Sequence, residues 1–162
     1  MKNILVVCAD KDLRKDLSKA LASALKCLYV DIDEFLDYEL LNSQDISLEE
    51  AHGELRKLEQ KSILRASELK DCVMTISHDL FVSNDNFKLI NTKKVFIFLS
   101  KAYFVARFSK DDKHKLEQEL TLFDGITKLI STNCDLVIEK GAKSIDELCK
   151  EIIEHLKQSK AS

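Results

Sequence analysis

The sequence predicts a three-layer α/β/α protein built around a five-stranded parallel sheet. Five short apolar runs alternate with amphipathic helical segments, which is the order of βαβ units. The runs lack strict apolar–polar alternation, as expected of strands covered on both faces. The 162-residue chain has three glycines and no proline. This scarcity argues against an all-β fold, because tight hairpin turns favour glycine.

The first strand and helix are the clearest elements. A β-branched apolar run over Lys2 to Cys8 predicts a buried strand. The segment from Lys11 to Lys26 has leucines at every fourth position, which predicts an amphipathic helix. Asp10 stands directly before this helix and is expected to cap it, because a carboxylate can accept hydrogen bonds from the first free amides.

Two further helices are predicted after the second strand. Cys27 to Asp31 predicts that strand, and Asp33 is expected to cap a helix over Glu34 to Leu41. Ser47-Leu48-Glu49-Glu50 fits a capping box that opens a helical stretch ending near residue 69. A break in that stretch is expected near Gly53.

The middle of the chain repeats the alternation. Cys72 to Ile76 and Val95 to Leu99 predict the third and fourth strands. The polar segment Asn84 to Asn91 between them is expected to be a short helix or a loop. Apolar periodicity then predicts helices over Tyr103 to Phe108 and Leu116 to Ile130.

The last strand and helix complete a single domain over residues 1–162. Asp135 to Ile138 predicts the fifth strand, and a second capping box at Ser144 opens the final helix. The chain shows no internal repeat and no interdomain linker. The mixed charge run Lys110 to Lys115 is interpreted as a solvated loop or helix start, with a mobile lid as the alternative; the candidate lid covers residues 109–121.

Composition and charge exclude several function classes. The net charge is −3, whereas proteins that bind nucleic acid normally carry a basic patch or stripe. No apolar run approaches the roughly 20 residues of a membrane span. The five cysteines form no Cys-x-x-Cys pair and are interpreted as reduced, mostly buried thiols of a cytoplasmic protein. These cysteines are Cys8, Cys27, Cys72, Cys134 and Cys149.

Ligands of open α/β sheets bind at the carboxyl ends of the strands, and phosphates bind where the first strand enters its helix. A phosphate loop there has the pattern Gly-x-x-x-x-Gly-Lys-Ser/Thr. The residues at this junction are Cys8-Ala9-Asp10-Lys11-Asp12-Leu13-Arg14-Lys15. The pattern is therefore absent, and the carboxylates of Asp10 and Asp12 are expected to satisfy the helix amides from within the chain.

Several segments together resemble the shikimate kinase family, within the nucleoside-monophosphate-kinase-like group of P-loop folds. The resemblance covers nearly the whole chain and implies the strand order 2-3-1-4-5. Its segments are Leu5-Val6-Val7 with the helix after it, Tyr29-Val30-Asp31-Ile32-Asp33, Leu55-Arg56-Lys57-Leu58-Glu59, Val95 to Leu99 with Val105-Ala106-Arg107, and Leu129 to Ile138 with the Ser144 helix.

The chain departs from the family at the positions that carry chemistry. Matched to the phosphate loop, Cys8 and Leu13 replace the framing glycines, Arg14 replaces the lysine and Lys15 replaces the hydroxyl residue. Ile126 falls where the family keeps a substrate arginine. The glycine triplet becomes Ile76-Ser77-His78, and the arginine-rich lid is missing.

The resemblance still implies roles for particular residues. Asp31 would help hold magnesium, and Asp33 would bind substrate hydroxyls and act as the catalytic base. Arg56 would bind a substrate carboxylate. As alternatives, helix capping or a strand-end turn explains the two acids, and a structural pairing with Asp33 or Glu59 explains Arg56. The residues expected to face a nucleotide are Lys11, Arg14, Lys15 and Arg107; the alternative is that Arg14, Lys15 and Arg107 are ordinary helix residues without such a role.

Three hypotheses for function follow. The first is a binding or regulatory pseudoenzyme that has lost ATP-dependent phosphoryl transfer, needs no cofactor and retains a pocket for a small carboxylate or polyol. The second is a divergent but active phosphotransferase that uses ATP and Mg²⁺ on shikimate or a related hydroxy acid. The third is a structural partner of an active kinase. The missing phosphate-loop pattern favours the first over the second.

Overall fold

The computed structural model describes residues 3–42, 48–108 and 113–161. Five strands form one parallel sheet in the order β2-β3-β1-β4-β5, which confirms the predicted fold. The strands are β1 (Ile4–Cys8), β2 (Leu28–Asp31), β3 (Cys72–Ser77), β4 (Lys93–Phe98) and β5 (Leu136–Glu139). The α-helices are α1 (Lys11–Leu25), α2 (Ile32–Asn42), α3 (Leu48–Ser67), α4 (His78–Val82), α5 (Lys101–Phe108), α6 (Lys113–Thr132) and α7 (Ile145–Ala161).

The sheet separates two apolar cores. On one face, Leu13, Leu17 and Leu21 of α1 pack with α7 against alternate residues of β1, β3 and β4. On the other face, α3, α4 and α6 cover the remaining residues of the same strands, including Met74 and Ile76. Because both faces are covered, all five residues of β1 are buried, which explains why this strand shows no alternation in the sequence.

Two predicted boundaries are wrong in instructive ways. Helix α2 begins at Ile32, and its capping carboxylate belongs to Asp31, which accepts hydrogen bonds from the amides of Asp33 and Glu34. Asp33 therefore lies inside the helix and does not cap it. Helix α3 continues through Gly53 without a break, because one glycine costs a helix only about 1 kcal/mol. Ser47, the proposed start of its capping box, lies outside the described residues.

The segment after β3 begins with a helix that the sequence does not predict, α4, which starts at His78. The 3₁₀ helix over Ser83–Leu89 that follows it agrees with the short helix or loop expected over Asn84 to Asn91. His78 is a buried residue at the start of α4. At the end of the chain the prediction is confirmed, since the Glu147 amide donates to Ser144 Oγ at the start of α7. Among the helices that the structure describes, none is long and apolar enough to cross a membrane.

Candidate functional site

The junction of β1 and α1 is short and closed. Strand β1 ends at Cys8 and helix α1 begins at Lys11, so only Ala9 and Asp10 connect them. The Asp10 carboxylate accepts hydrogen bonds from the amides of Asp12 (3.1 Å) and Leu13 (3.3 Å). The Arg14 amide donates to the Asp10 carbonyl oxygen at 2.9 Å as part of the helix. The amides that would face a phosphate are thus bonded within the chain, as the sequence predicts for Asp10.

A second donor fixes the buried Asp10 carboxylate from the opposite side. Tyr103 on α5 donates its hydroxyl to Asp10 Oδ2 at 2.5 Å. The Tyr103 amide in turn donates to Ser100 Oγ, which holds the first turn of α5. The carboxylate therefore joins the start of α1 to the helix after β4, across the space above the carboxyl edge of the sheet.

Arg14 points inwards. Its side chain is only 4% exposed, and Nη1 donates to the Cys8 carbonyl oxygen at 3.1 Å. Nη2 lies 3.9 Å from Asp33 Oδ2. The guanidinium thus connects the end of β1 to helix α2. In this position its positive charge lies close to the negative charge of the Asp33 carboxylate. Of the residues expected to face a nucleotide whose side chains the structure describes, Lys11, Arg14 and Lys15, only Arg14 is buried.

Lys15, the neighbour of Arg14 in the sequence, lies against acids at the start of α2. Lys15 Nζ is 3.0 Å from Glu34 Oε1 and 3.5 Å from Asp31 Oδ2. The hydrogen bond to Glu34 raises the pKa of Lys15. Burial, with the nearby charge of Asp33, raises the pKa of Asp31. An ammonium group therefore stands beside the carboxylate to which the resemblance assigns magnesium, and no group of three potential metal ligands occurs within the described residues.

Both carboxylate oxygens of Asp33 accept hydrogen bonds from Ser77 at the end of β3. Ser77 donates its amide to Asp33 Oδ2 and its hydroxyl to Oδ1, each at 2.7 Å. The same hydroxyl accepts from the Leu80 amide and caps α4. Asp33 is therefore a tie between α2 and the β3–α4 junction, in addition to its contact with Arg14.

The other predicted site residues lie apart from this network or outside it. Arg56 on α3 is exposed and has no ion pair with the described residues. Glu59, a proposed partner of Arg56, is buried and accepts from the Ser83 hydroxyl instead. Lys11 is exposed at the first turn of α1. The side chain of Arg107 lies outside the described residues, as do positions 109–112 of the candidate lid.

A small apolar cavity lies next to the closed junction. Ala9, His78, Phe98 and Ile126 are among its lining residues. Its volume is about 20 Å³, enough for little more than one water molecule. Ile126 and His78 stand at the positions where the resemblance places a substrate arginine and a glycine, and the space beside them is mainly apolar and too small for a substrate.

The structure argues against a nucleophilic role for Cys8. The thiol is buried at the end of β1, and burial raises its pKa to about 12. Such a thiol is protonated at neutral pH and is a weak nucleophile. In the described part of the chain all five cysteines are free thiols, of which Cys8, Cys72 and Cys149 are buried.

The sequence does not identify Ser77 and Tyr103 as members of this hydrogen-bond network, although each residue has a local sequence signal. Ser77 follows an apolar strand and precedes a short helix, which is a typical N-cap position. Its second role, binding Asp33, joins residues 44 positions apart. Tyr103 lies 93 positions from Asp10, and only its apolar periodicity is visible locally. Long-range pairings of this kind require the sheet order before they can be proposed.

One protein-family model matches most of the chain. The family model described as "SKI: Shikimate kinase" matches residues 15–157. The match thus begins at Lys15, where the β1–α1 junction ends. No curated protein sequence matches well enough to count as a relative.

Solved structures show the same fold over the full length. A shikimate kinase from Acinetobacter baumannii, solved in complex with shikimate, is 14% identical with a TM-score of 0.77, covering 100% of this chain and 96% of that one. The Aquifex aeolicus shikimate kinase is 21% identical with a TM-score of 0.77, covering 97% of each chain. A thymidylate kinase from Candida albicans is 15% identical with a TM-score of 0.62, covering 98% and 92%.

Proposed function

The chain belongs to the shikimate kinase family, and from this premise we propose that it is a binding or regulatory member that does not transfer phosphate from ATP. The observation that carries the proposal is the Asp10 carboxylate on the amides of Asp12 and Leu13. A phosphate group needs those amides, and the helix dipole, for its own negative charge.

Three features of the junction oppose a nucleotide. A bound triphosphate would have to displace the Asp10 carboxylate and would meet its like charge. It would also need a longer loop than the two residues between β1 and α1. Arg14, which stands at the position of the family's lysine, is turned towards the Cys8 carbonyl oxygen and Asp33. Phosphoryl transfer depends on positioning and charge stabilisation, and this junction supplies neither.

Magnesium meets a similar obstacle. The Lys15 ammonium lies 3.5 Å from Asp31 Oδ2, where a divalent cation would be repelled. Position 15 also lacks the hydroxyl that holds magnesium in a phosphate loop. Asp33, the expected base, holds Ser77 through both carboxylate oxygens. The residues present therefore do not fit ATP with Mg²⁺, and no catalytic step is derived through them.

A ligand-binding role remains open on the α3 side. Arg56 is exposed and lacks an ion pair with the described residues, so its guanidinium is available for a small carboxylate. The Acinetobacter baumannii relative was solved with shikimate, which is a carboxylate and a polyol. We propose that this chain binds a ligand of that class through Arg56 and does not phosphorylate it.

Isothermal titration calorimetry with MgATP tests the loss of nucleotide binding. We expect the wild-type chain to bind MgATP no more tightly than millimolar; micromolar binding, or turnover of shikimate in a coupled assay, would overturn the proposal. The complementary variant brings the junction closer to the phosphate-loop pattern with Lys11→Gly, Leu13→Gly, Arg14→Lys and Lys15→Ser.

A matched pair of variants identifies the block. The fourfold variant is compared with the same variant carrying Asp10→Gly in addition, after circular dichroism has shown that both are folded. If the Asp10 carboxylate is the main obstacle, only the fivefold variant gains MgATP affinity. An equal gain in both would remove Asp10 as the cause, and no gain in either would place the defect outside this junction.

A further inference from the structure

Ser77 supplies Asp33 with two hydrogen-bond donors from a single residue. Its amide donates to Oδ2 and its hydroxyl donates to Oδ1, each at 2.7 Å. The hydroxyl also accepts from the Leu80 amide at 3.2 Å, so the start of α4 fixes its position. Two neighbouring donors that face one carboxylate are also what a vicinal diol of a ligand offers. Ser77 therefore binds Asp33 as a polyol ligand would.

Asp33 gains little from exchanging these donors for those of a ligand. Arg14 Nη2, 3.9 Å from Asp33 Oδ2, already places a cation of the same chain beside the carboxylate. A ligand hydroxyl that took either oxygen would replace an existing hydrogen bond and would not add one. Displacing Ser77 would also leave its amide without an acceptor and would disturb the cap of α4, and these costs offset the new bond.

Arg56 lies on the side of α3 that faces the segment opened by Ser77. It precedes Glu59 by three residues, so the two side chains share one face of the helix. Glu59 accepts from the hydroxyl of Ser83, at the start of the 3₁₀ helix that follows α4. The guanidinium of Arg56 is exposed and has no ion pair with the described residues. Arg56 is therefore open to an anion, whereas Asp33 is already bonded.

We propose that Ser77 is a specificity-determining residue, which closes Asp33 to the hydroxyl groups of a ligand. The ligand is then recognised by its carboxylate through Arg56, and its hydroxyl groups contribute little to affinity. Ser77 stands where the resemblance places a glycine, which has no hydroxyl to offer. The inference rests on the proposed ligand-binding role of Arg56 and narrows the ligand class from hydroxy acids to carboxylates in general.

Two carboxylates, titrated into the ¹⁵N-labelled chain and followed by NMR, test the inference. Shikimate is compared with cyclohex-1-ene-1-carboxylate, the same ring acid without hydroxyl groups. We expect the wild-type chain to bind both with dissociation constants within about threefold of each other, and Arg56→Ala to weaken both about tenfold. A larger preference for shikimate would overturn the inference and leave the role of Arg56 intact. Binding of neither acid, or binding that Arg56→Ala does not weaken, would overturn the role of Arg56 and this inference with it.

Removing the Ser77 hydroxyl should create the missing preference. Ser77→Gly keeps the backbone amide but frees Asp33 Oδ1, so shikimate should bind about tenfold more tightly and the hydroxyl-free acid should bind as before. Ser77→Ala should act in the same way and has a more restricted backbone. Ser144→Gly is the matched control, because Ser144 likewise caps a helix by accepting from the Glu147 amide, and it should change neither affinity.

The variants are compared after circular dichroism has shown that they are folded, which is expected because glycine in place of a capping serine costs only a few tenths of the helix's stability scale. Folded Ser77 variants that bind shikimate no more tightly than the wild-type chain would overturn the inference, because the hydroxyl would not be what closes Asp33. The comparison of the two acids on the wild-type chain decides the matter without any Ser77 variant.

Discussion

Arg14 and Arg56 are two arginines to which the same family resemblance assigns ligand binding, and the fold treats them in opposite ways. Arg14 is buried between the Cys8 carbonyl oxygen and Asp33. Arg56 is exposed on α3 and has no ion pair with the described residues. A buried cation must be compensated by its own chain, whereas an exposed one keeps its hydration and remains available. The comparison shows that Arg14 is part of a buried contact network of this chain, whereas Arg56 is not.

A connected set of contacts holds the β1–α1 junction. Asp10 binds the start of α1 and Tyr103, and Arg14 connects β1 to Asp33, which is itself held by Ser77. These contacts link α1, α2, α4 and α5 above the carboxyl edge of the sheet. Losing one member leaves a partner buried without its bond, and this penalty is larger than the bond's own contribution.

The largest expected effect separates the two arginines. Arg14→Ala should destabilise the protein by about 3 kcal/mol, because it leaves the buried Cys8 carbonyl oxygen and the partly buried Asp33 without their cation. The matched variant Arg56→Ala should change stability by no more than about 0.5 kcal/mol. Urea denaturation measures both. Equal losses would show that Arg14 is as dispensable as a surface residue.

An intermediate effect is expected at the cap of α1. Asp10→Ala should cost about 2 kcal/mol, since it removes the cap and leaves the Tyr103 hydroxyl without its acceptor. Asp16→Ala on the exposed side of the same helix is the control and should stay within about 0.5 kcal/mol. Thermal unfolding of the two variants at the same pH gives the comparison. If Asp10→Ala were no more costly than Asp16→Ala, the carboxylate would not be what closes the junction.

The smallest expected effect concerns Asp31 and depends on pH. The folded pKa of Asp31 lies above its unfolded value because of burial, so the native state holds the proton longer and its stability falls as pH rises from the unfolded pKa through the folded one. Asp31→Asn keeps a good helix cap and removes this penalty.

Asp31→Asn should therefore be more stable than the wild-type protein at pH 7, although Lys15 retains only Glu34 as its acidic partner. The gain should disappear once the pH falls below the unfolded pKa of Asp31. Asp16→Asn, on the exposed side of α1, is the control and should change stability little at either pH. Urea denaturation curves of the three proteins at pH 7 and at a pH below the unfolded pKa of Asp31 give the comparison. A wild-type protein more stable than Asp31→Asn at pH 7 would contradict the prediction.

Local sequence signals identify most of the fold but place some boundaries incorrectly. The strands, α1 and its Asp10 cap follow from apolar periodicity and from a carboxylate that reaches amides two and three residues ahead. At α2 the same rule predicts Asp33 as the cap, two residues beyond Asp31, which is the residue that caps the helix. Helix α4 was missed because five residues are too few to show a 3.6-residue period.

The sequence by itself determines that the phosphate-loop pattern is absent, because that pattern depends on residue types at fixed spacing. It also determines the sheet, because buried strands and amphipathic helices are encoded by neighbouring residues. Only the tertiary structure decides that Arg14 turns inwards, that Tyr103 binds Asp10 and that Ser77 donates hydrogen bonds to both carboxylate oxygens of Asp33. Each of these contacts joins residues that are far apart in sequence or on different elements, and its energy depends on burial, which exists only once the sheet edge has assembled.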